Sequence, residues 1–304
     1  MTSQDAHTLE EFLLSYEQSL DALSALGVRI AAGRLREYRD CLSTAINVER
    51  QAPEATHAHQ SGEFFQNTLL EASEIIDIAT LDVGLLQDHE TLTKLRQLCK
   101  GPALPNPAID DPARNYAFEF STAAAAARHQ RLVGFSAGDF EIGPTAFPVE
   151  CKRVSSLKRL ESNLRAARVQ LAARGRPGII AVDLTAPIRA DQGLTRIYLS
   201  ESEQRDRVDM ELTAYLCRHL DSALVDSVVD PMVLGLIFRH RLVGSVGSPN
   251  QIRTARTWMA FCLHGGSLEQ TFDEATTWLA DGPSVAGTEQ DMLAAIRAVT
   301  INDH

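Results

Sequence analysis

The chain has 304 residues, 44% hydrophobic and 23% charged, enough apolar material for one large folded domain or two modest ones. No apolar run approaches the ~20 residues that cross a bilayer, and the first residues lack both the basic and the apolar stretch of a secretory leader, so a cytoplasmic protein is expected. A net charge of −11 opposes a surface that attracts polyanions everywhere, and five scattered cysteines without a C-x-x-C pair oppose a disulfide framework or a zinc ribbon.

Residues 8–50 read as two helices. Leu9, Phe12, Leu13, Tyr16, Leu20, Leu23 and Leu26 recur at three- and four-residue spacing up to Gly27, and a second helical stretch covers roughly 28–50. A polar connector at 51–62 precedes helices expected at 63–80 and 88–99. Residues 1–100 are therefore expected to form an acidic, all-helical region. Four prolines in 101–112 mark a linker. From 113 the pattern changes: an alanine-rich helix to about 130, then short apolar runs at 132–135, 140–142 and 147–152 punctuated by glycine and proline. An amphipathic helix over 156–173 follows, then a buried strand at 178–184 (GIIAVDL) bounded by Pro177 and Pro187. The order helix, three strands, helix, strand predicts an α/β core with a central mixed sheet, continuing to the C-terminus as one domain over 113–304. Beyond it, 201–226 reads as helix, 232–239 and 255–263 as strands, and 267–280 and 287–299 as closing helices.

The charge is unevenly placed. Residues 1–100 carry a net −8 and residues 192–304 a net −6, whereas 101–191 carry +3. Within 151–178, Lys152, Arg153, Lys158, Arg159, Arg165, Arg168, Arg174 and Arg176 face a lone Glu161. Such a run is ordinarily a solvated helix face; it gains interest from what precedes it.

That neighbour is Phe147-Pro148-Val149-Glu150-Cys151-Lys152-Arg153. On a strand, Glu150 and Lys152 share one face and Val149 and Cys151 the other, so a carboxylate sits beside an ammonium above an apolar underside. A turn at Gly143-Pro144 would fold 140–142 back as a hairpin and bring Asp139 opposite Glu150. Two converging carboxylates form a hard-oxygen site suited to Mg²⁺.

Asp139 followed by Glu150-Cys151-Lys152, with Glu119 on the preceding helix, resembles the D…(D/E)-X-K signature of the PD-(D/E)XK, restriction-endonuclease-like nucleases. The resemblance covers roughly 113–185. It implies a restriction-endonuclease-like core and Mg²⁺ (with Mn²⁺ as a substitute) held by Asp139, Glu150 and the Cys151 carbonyl. It further implies that Lys152 serves the attacking water and that Glu119 completes the site. Phosphodiester hydrolysis needs an in-line nucleophile and relief of charge on the phosphoryl oxygens, and bound Mg²⁺ supplies both. The expected activity is that of a DNA endonuclease, with RNA as an open alternative substrate. Arg153, Lys158, Arg159, Arg165, Arg168 and Gln170 are candidates for contacting the nucleic acid. Gly138 replaces the proline of the family name. Gln170 lies where some exonuclease-like branches place a glutamine followed four residues later by tyrosine, but here Arg174 occupies the tyrosine place. The acidic flanks suggest a homodimer or a protein partner.

Two other classes compete. A non-catalytic DNA-binding or protein-interaction module could use the same fold. Gly134-Phe135-Ser136-Ala137-Gly138 matches the G-x-S-x-G elbow of serine hydrolases, although strand and turn residues follow it instead of the helix that elbow requires. His57 and His59 lie in the polar connector without a third ligand, and Cys262-Leu263-His264 reads as core and turn. No G-x-x-x-x-G-K-[ST] phosphate loop is present.

Overall fold

The computed structural model describes residues 7–51, 62–106, 111–128, 133–135, 139–143, 146–192, 197–198, 200–246, 251–265 and 267–276. Strand β1 (His7–Thr8) leads into α1 (Leu9–Ala25), α2 (Arg34–Gln51), α3 (Glu63–Ile78), a 3-10 turn at Val83–Leu86, α4 (His89–Leu95) and α5 (Pro112–Arg128). Strands β2 (Val133–Gly134), β3 (Phe140–Ile142) and β4 (Phe147–Arg153) follow, then α6 (Leu157–Arg174), β5 (Gly178–Asp183), α7 (Thr185–Gln192) and β6 (Ile197–Tyr198). Helices α8 (Glu201–His219) and α9 (Ser222–Asp226) precede the long strands β7 (Val233–Val246) and β8 (Gln251–Cys262), and α10 (Ser267–Thr276) closes the described chain. The architecture is α/β, with a mixed sheet of eight described strands: a six-strand run in the order β8-β7-β5-β4-β3-β2, extended by short β1 beside β8 and short β6 beside β7. Within it β4, β5 and β7 run parallel, and β2 and β3 add antiparallel to one side. Among the described residues no helix is long and apolar enough to cross a membrane.

The chain forms two compact units. The first takes the described residues up to Ala124 with those of 192–206 and 241–255; the second takes those of 125–191, 207–240 and from Arg256 onward.

In the first unit Thr8 caps α1 reciprocally with Glu11. The Glu11 N–H donates to Thr8 Oγ1 at 3.2 Å and the Thr8 N–H to Glu11 Oε2 at 2.9 Å, satisfying two donors that a helix start leaves open. Helix α3 is buried from Phe65 to Ile78, charged side chains included. Buried carboxylates need partners: Glu71 pairs with Arg114 at 3.1 Å and Arg34 at 3.5 Å, and Glu74 pairs with Arg241 at 3.1 Å. Arg114 also donates to the Tyr38 hydroxyl and to the carbonyls of Pro102 and Ala103, so the proline-rich stretch is tied down at its start.

In the second unit α6 buries Leu160, Leu164, Ala167 and Leu171, one helical stripe, against Ile180, Val182, Leu236 and Phe238 of the sheet. Truncating one of these leucines to alanine typically costs about 2–5 kcal/mol. Gly175 ends the helix in the left-handed conformation at φ 64°, the geometry glycine adopts without strain. Gly178 opens β5 because nothing larger fits: a Cβ there would lie 2.5 Å from the Pro148 carbonyl oxygen and 2.7 Å from Leu171 Cδ2. That contact also shows that Pro148 and its alternate neighbours on β4 face α6.

The order α5, β2, β3, β4, α6, β5 matches the expected alternation, but several bounds differ for identifiable reasons. The stretch 201–226 is two helices, because Asp221 stops the first and caps the second by accepting from the Leu224 N–H at 2.8 Å. Residues 185–192 are helical although Pro187 reads as a breaker; proline in a first turn costs no intrahelical hydrogen bond. Strand β7 runs seven residues past the expected end at 239, through Arg239, His240 and Arg241, all buried. The expected helix at 287–299 and the motif histidines His57 and His59 lie outside the described residues. All five cysteines are free, and Cys41, Cys151 and Cys262 are buried.

Candidate active site

Strands β3 and β4 form the hairpin expected from the sequence, with Phe140 opposite Val149 and Ile142 opposite Phe147. One step beyond the first pair, Asp139 stands across from Glu150. Its Oδ2 accepts a hydrogen bond from the Cys151 N–H, which fixes the aspartate against β4. Alternation along β4 places Glu150 and Lys152 together on the face turned to α6. Lys152 Nζ lies 3.2 Å from Glu150 Oε2.

Glu150 is also held from the other side. Arg174, in the last turn of α6, donates from Nη2 to Glu150 Oε1. The Glu150 side chain is 1% exposed, whereas Lys152 and Arg174 are 18% and 14% exposed, so the cations lie between the carboxylate and solvent. Burial is the main cause of a raised Glu150 pKa, the Asp139 charge adds to it, and Lys152 and Arg174 offset part of the rise. Arg174 is the functional candidate that sequence reasoning passed over. Its signal was positional: three residues after Leu171 on the buried stripe, its side chain points toward the sheet.

Glu119 belongs to α5 in the first unit; it is 3% exposed and accepts from Lys94 Nζ at 2.8 Å. Arg153 lies on the opposite face of β4 from Lys152 and pairs with Asp183 at 3.3 Å. Arg168 donates to the Ser227 carbonyl at 2.8 Å, and Arg165 pairs with Glu161 on the helix surface at 2.6 Å. Arg159 is half-buried. Lys158 and Gln170 are exposed and make no hydrogen bond or ion pair among the described residues. Ser136 lies outside the described residues.

Among the described residues no three or more His, Cys, Asp or Glu side chains gather to hold a metal ion. Asp139 and Glu150, with the Cys151 carbonyl, match the smaller set of hard oxygens that Mg²⁺ takes when water and substrate phosphate complete its shell. They do not make an all-protein cage.

A second polar cluster sits where β5 ends beside the middle of its parallel neighbour β7. Asp183 is 1% exposed; its Oδ2 accepts from Arg239 at 2.8 Å and its Oδ1 from the Thr185 N–H and hydroxyl at 3.1 and 2.6 Å. Beside it, fully buried His240 meets Glu211 at 3.1 Å, and Arg207 joins the same carboxylate. The sequence reading marked neither the Asp183–Arg239 pair nor the Glu211–His240 pair, because 56 and 29 residues separate their partners.

No protein-family model, no curated protein and no solved structure matches the chain.

Proposed function

We propose that this protein is a metal-dependent nuclease of the restriction-endonuclease-like kind, hydrolysing phosphodiester bonds, with DNA as substrate. One observation carries the reading: the β3–β4 hairpin sets Asp139 across from Glu150 with Lys152 on the same face, 3.2 Å from Glu150. Asp139 and Glu150, with the Cys151 carbonyl, are the groups that would hold Mg²⁺ or Mn²⁺. When bound, such an ion supplies Lewis-acid polarisation of the phosphoryl group. Lys152, partly open to solvent, is the group able to orient an attacking water and to place positive charge beside a pentavalent phosphorus. Glu119 contributes to the proposal only through its resemblance to the family's helix glutamate.

A second reading is favoured by the double capture of Glu150. With both oxygens taken by cations, the same face could bind nucleic acid or a protein without turnover. Plasmid and single-strand cleavage with Mg²⁺ against EDTA, run beside Lys152→Ala and Asp139→Asn, separates the two. Mg²⁺-dependent cutting lost in both variants supports the nuclease. Metal-independent cutting, or full activity in either variant, would sink it, and nucleic-acid binding without any cutting would leave the binding module.

A further inference from the structure

We propose that Arg174 is a built-in counter-ion that stands in for the divalent cation on Glu150 and gives up that carboxylate when a metal enters. The inference rests on the metal-dependent reading above and concerns one residue of this chain that the sequence signature does not include.

The geometry makes the competition direct. Glu150 has two oxygens, and both are engaged: Oε2 by Lys152 at 3.2 Å and Oε1 by Arg174. The carboxylate is 1% exposed, so water does little to screen these contacts. Asp139 and Glu150 carry two negative charges, and Lys152 and Arg174 carry two positive ones. The set is balanced before any metal arrives. A divalent ion entering it meets two cations already on the carboxylate it needs, and one of them must give way.

The two cations are not equally free to leave. Lys152 shares a strand with Glu150 and stands on the same face two residues away, so its backbone tether keeps its ammonium within reach of the carboxylate. Arg174 reaches across from the last turn of α6, next to the left-handed Gly175 that ends the helix. Its longer arm is 14% exposed and is tethered to a different element from the carboxylate it holds. Once released it presents a planar fork of donors beside the carboxylate pair, the form of cation that matches a phosphate best. A lysine or methionine here would lack that fork. Arg176, two residues on, is held by Glu141 of β3 and has no contact with Glu150, which makes it the control.

A purely structural role for Arg174, clipping α6 to β4, makes a different forecast. Its loss would then lower stability equally with and without metal. Displacement couples the two: removing Arg174 removes a competitor, so metal binding tightens.

The experiment uses the full chain without nucleic acid. Mn²⁺ is titrated calorimetrically into wild type, Arg174→Met, Arg174→Lys and Arg176→Met, and thermal unfolding is followed in EDTA and in saturating Mn²⁺. Arg174→Met is expected to bind Mn²⁺ at least ~5-fold more tightly, with a larger Mn²⁺-induced rise in Tm, because ligand affinity and stabilisation are linked. Arg174→Lys, which keeps the charge, should fall between, and Arg176→Met should match wild type. Equal or weaker Mn²⁺ binding by both Arg174 variants overturns the inference while leaving the metal site standing. Absence of Mn²⁺ binding in wild type and every variant overturns the metal reading together with it. Should Arg174→Met fail to fold, Arg174→Lys decides: a Kd equal to or weaker than that of wild type overturns the inference, and a tighter one supports it.

Discussion

Arg239 on β7 donates to Asp183 on β5 at 2.8 Å, with each side chain only 1% exposed. The pair joins the end of β5 to the middle of its parallel neighbour β7, and the Leu184 N–H donates to the Arg239 carbonyl at 2.8 Å to continue the same junction. A buried carboxylate with Arg239, Arg153 and Thr185 around it is costly to break, because the surviving charge is left in a poorly solvating site. Asp183→Ala is expected to lose about 3–5 kcal/mol, as is typical when one partner of a buried pair is removed. Urea denaturation followed by circular dichroism measures it. A loss under about 1 kcal/mol, the range of exposed pairs, would show that the junction is not a buried ion pair in solution.

His240 sets a pH window for the same unit. Burial pushes its pKa below 6.5, against the opposing pull of Glu211, while Arg189 adds to the fall and Asp183 resists it. Neutral His240 therefore donates through Nε2 to ionised Glu211, whose own pKa is lowered by His240 and Arg207 despite its burial. A depressed native pKa means that the unfolded chain takes up the proton first. The stability contributed by His240 is full above 6.5 and is lost as the pH falls through the depressed native value. Tm measured from pH 7.5 down to 5 should fall in wild type and fall less in His240→Gln. Identical slopes would refute the assignment.

Glu150 works in the opposite direction. Its native pKa is raised above 4.5, chiefly by burial, so the stability it contributes is full below 4.5 and is lost as the pH rises through the native value. At neutral pH the ionised carboxylate is a net burden on folding. Glu150→Gln is therefore expected to raise Tm at pH 7 and, on the proposed nuclease reading, to abolish cleavage. The gain should vanish as the pH falls below 4.5. A lower Tm at pH 7 would mean that Lys152 and Arg174 more than compensate the buried charge.

How far the sequence could be read follows from the range of each interaction. Asp139, Glu150 and Lys152 were legible because alternation along one strand and one short turn bring them together. The stripe Leu160, Leu164, Ala167 and Leu171 was legible for the same local reason. Arg174 was counted among the basic residues but not placed, since its meeting with Glu150 depends on the full length of α6. The end of β7 was misread because Arg239 and Arg241 look like strand-ending charges. Only distant carboxylates, Asp183 and Glu74, make them core residues. The acidic composition of α3 concealed how deeply that helix is buried, since its Glu71 and Glu74 are satisfied by Arg34, Arg114 and Arg241.

The basic helix α6 divides into residues that serve the fold and residues left for a ligand, and the division can be measured. Arg168 and Arg174 are committed to Ser227 and Glu150, and Arg165 is half-neutralised by Glu161. Lys158, exposed in the first turn, has no partner among the described residues. A cation at the positive end of a helix dipole is locally unfavourable, so nothing in the fold rewards Lys158. If DNA is the substrate, Lys158→Ala should weaken duplex binding uniformly across sequences. It should also reduce the slope of log K against log salt by about 1, the value for one lost phosphate contact. Tm should stay unchanged. Arg168→Ala is expected to show the converse, a lower Tm with the salt slope unaltered. Fluorescence anisotropy on a labelled duplex between 50 and 200 mM salt, a range over which phosphate contacts dominate the change in affinity, reads both variants. An unchanged slope in Lys158→Ala would remove the first turn of α6 from the nucleic-acid surface, and a reduced slope in Arg168→Ala would show that its bond to Ser227 yields to phosphate.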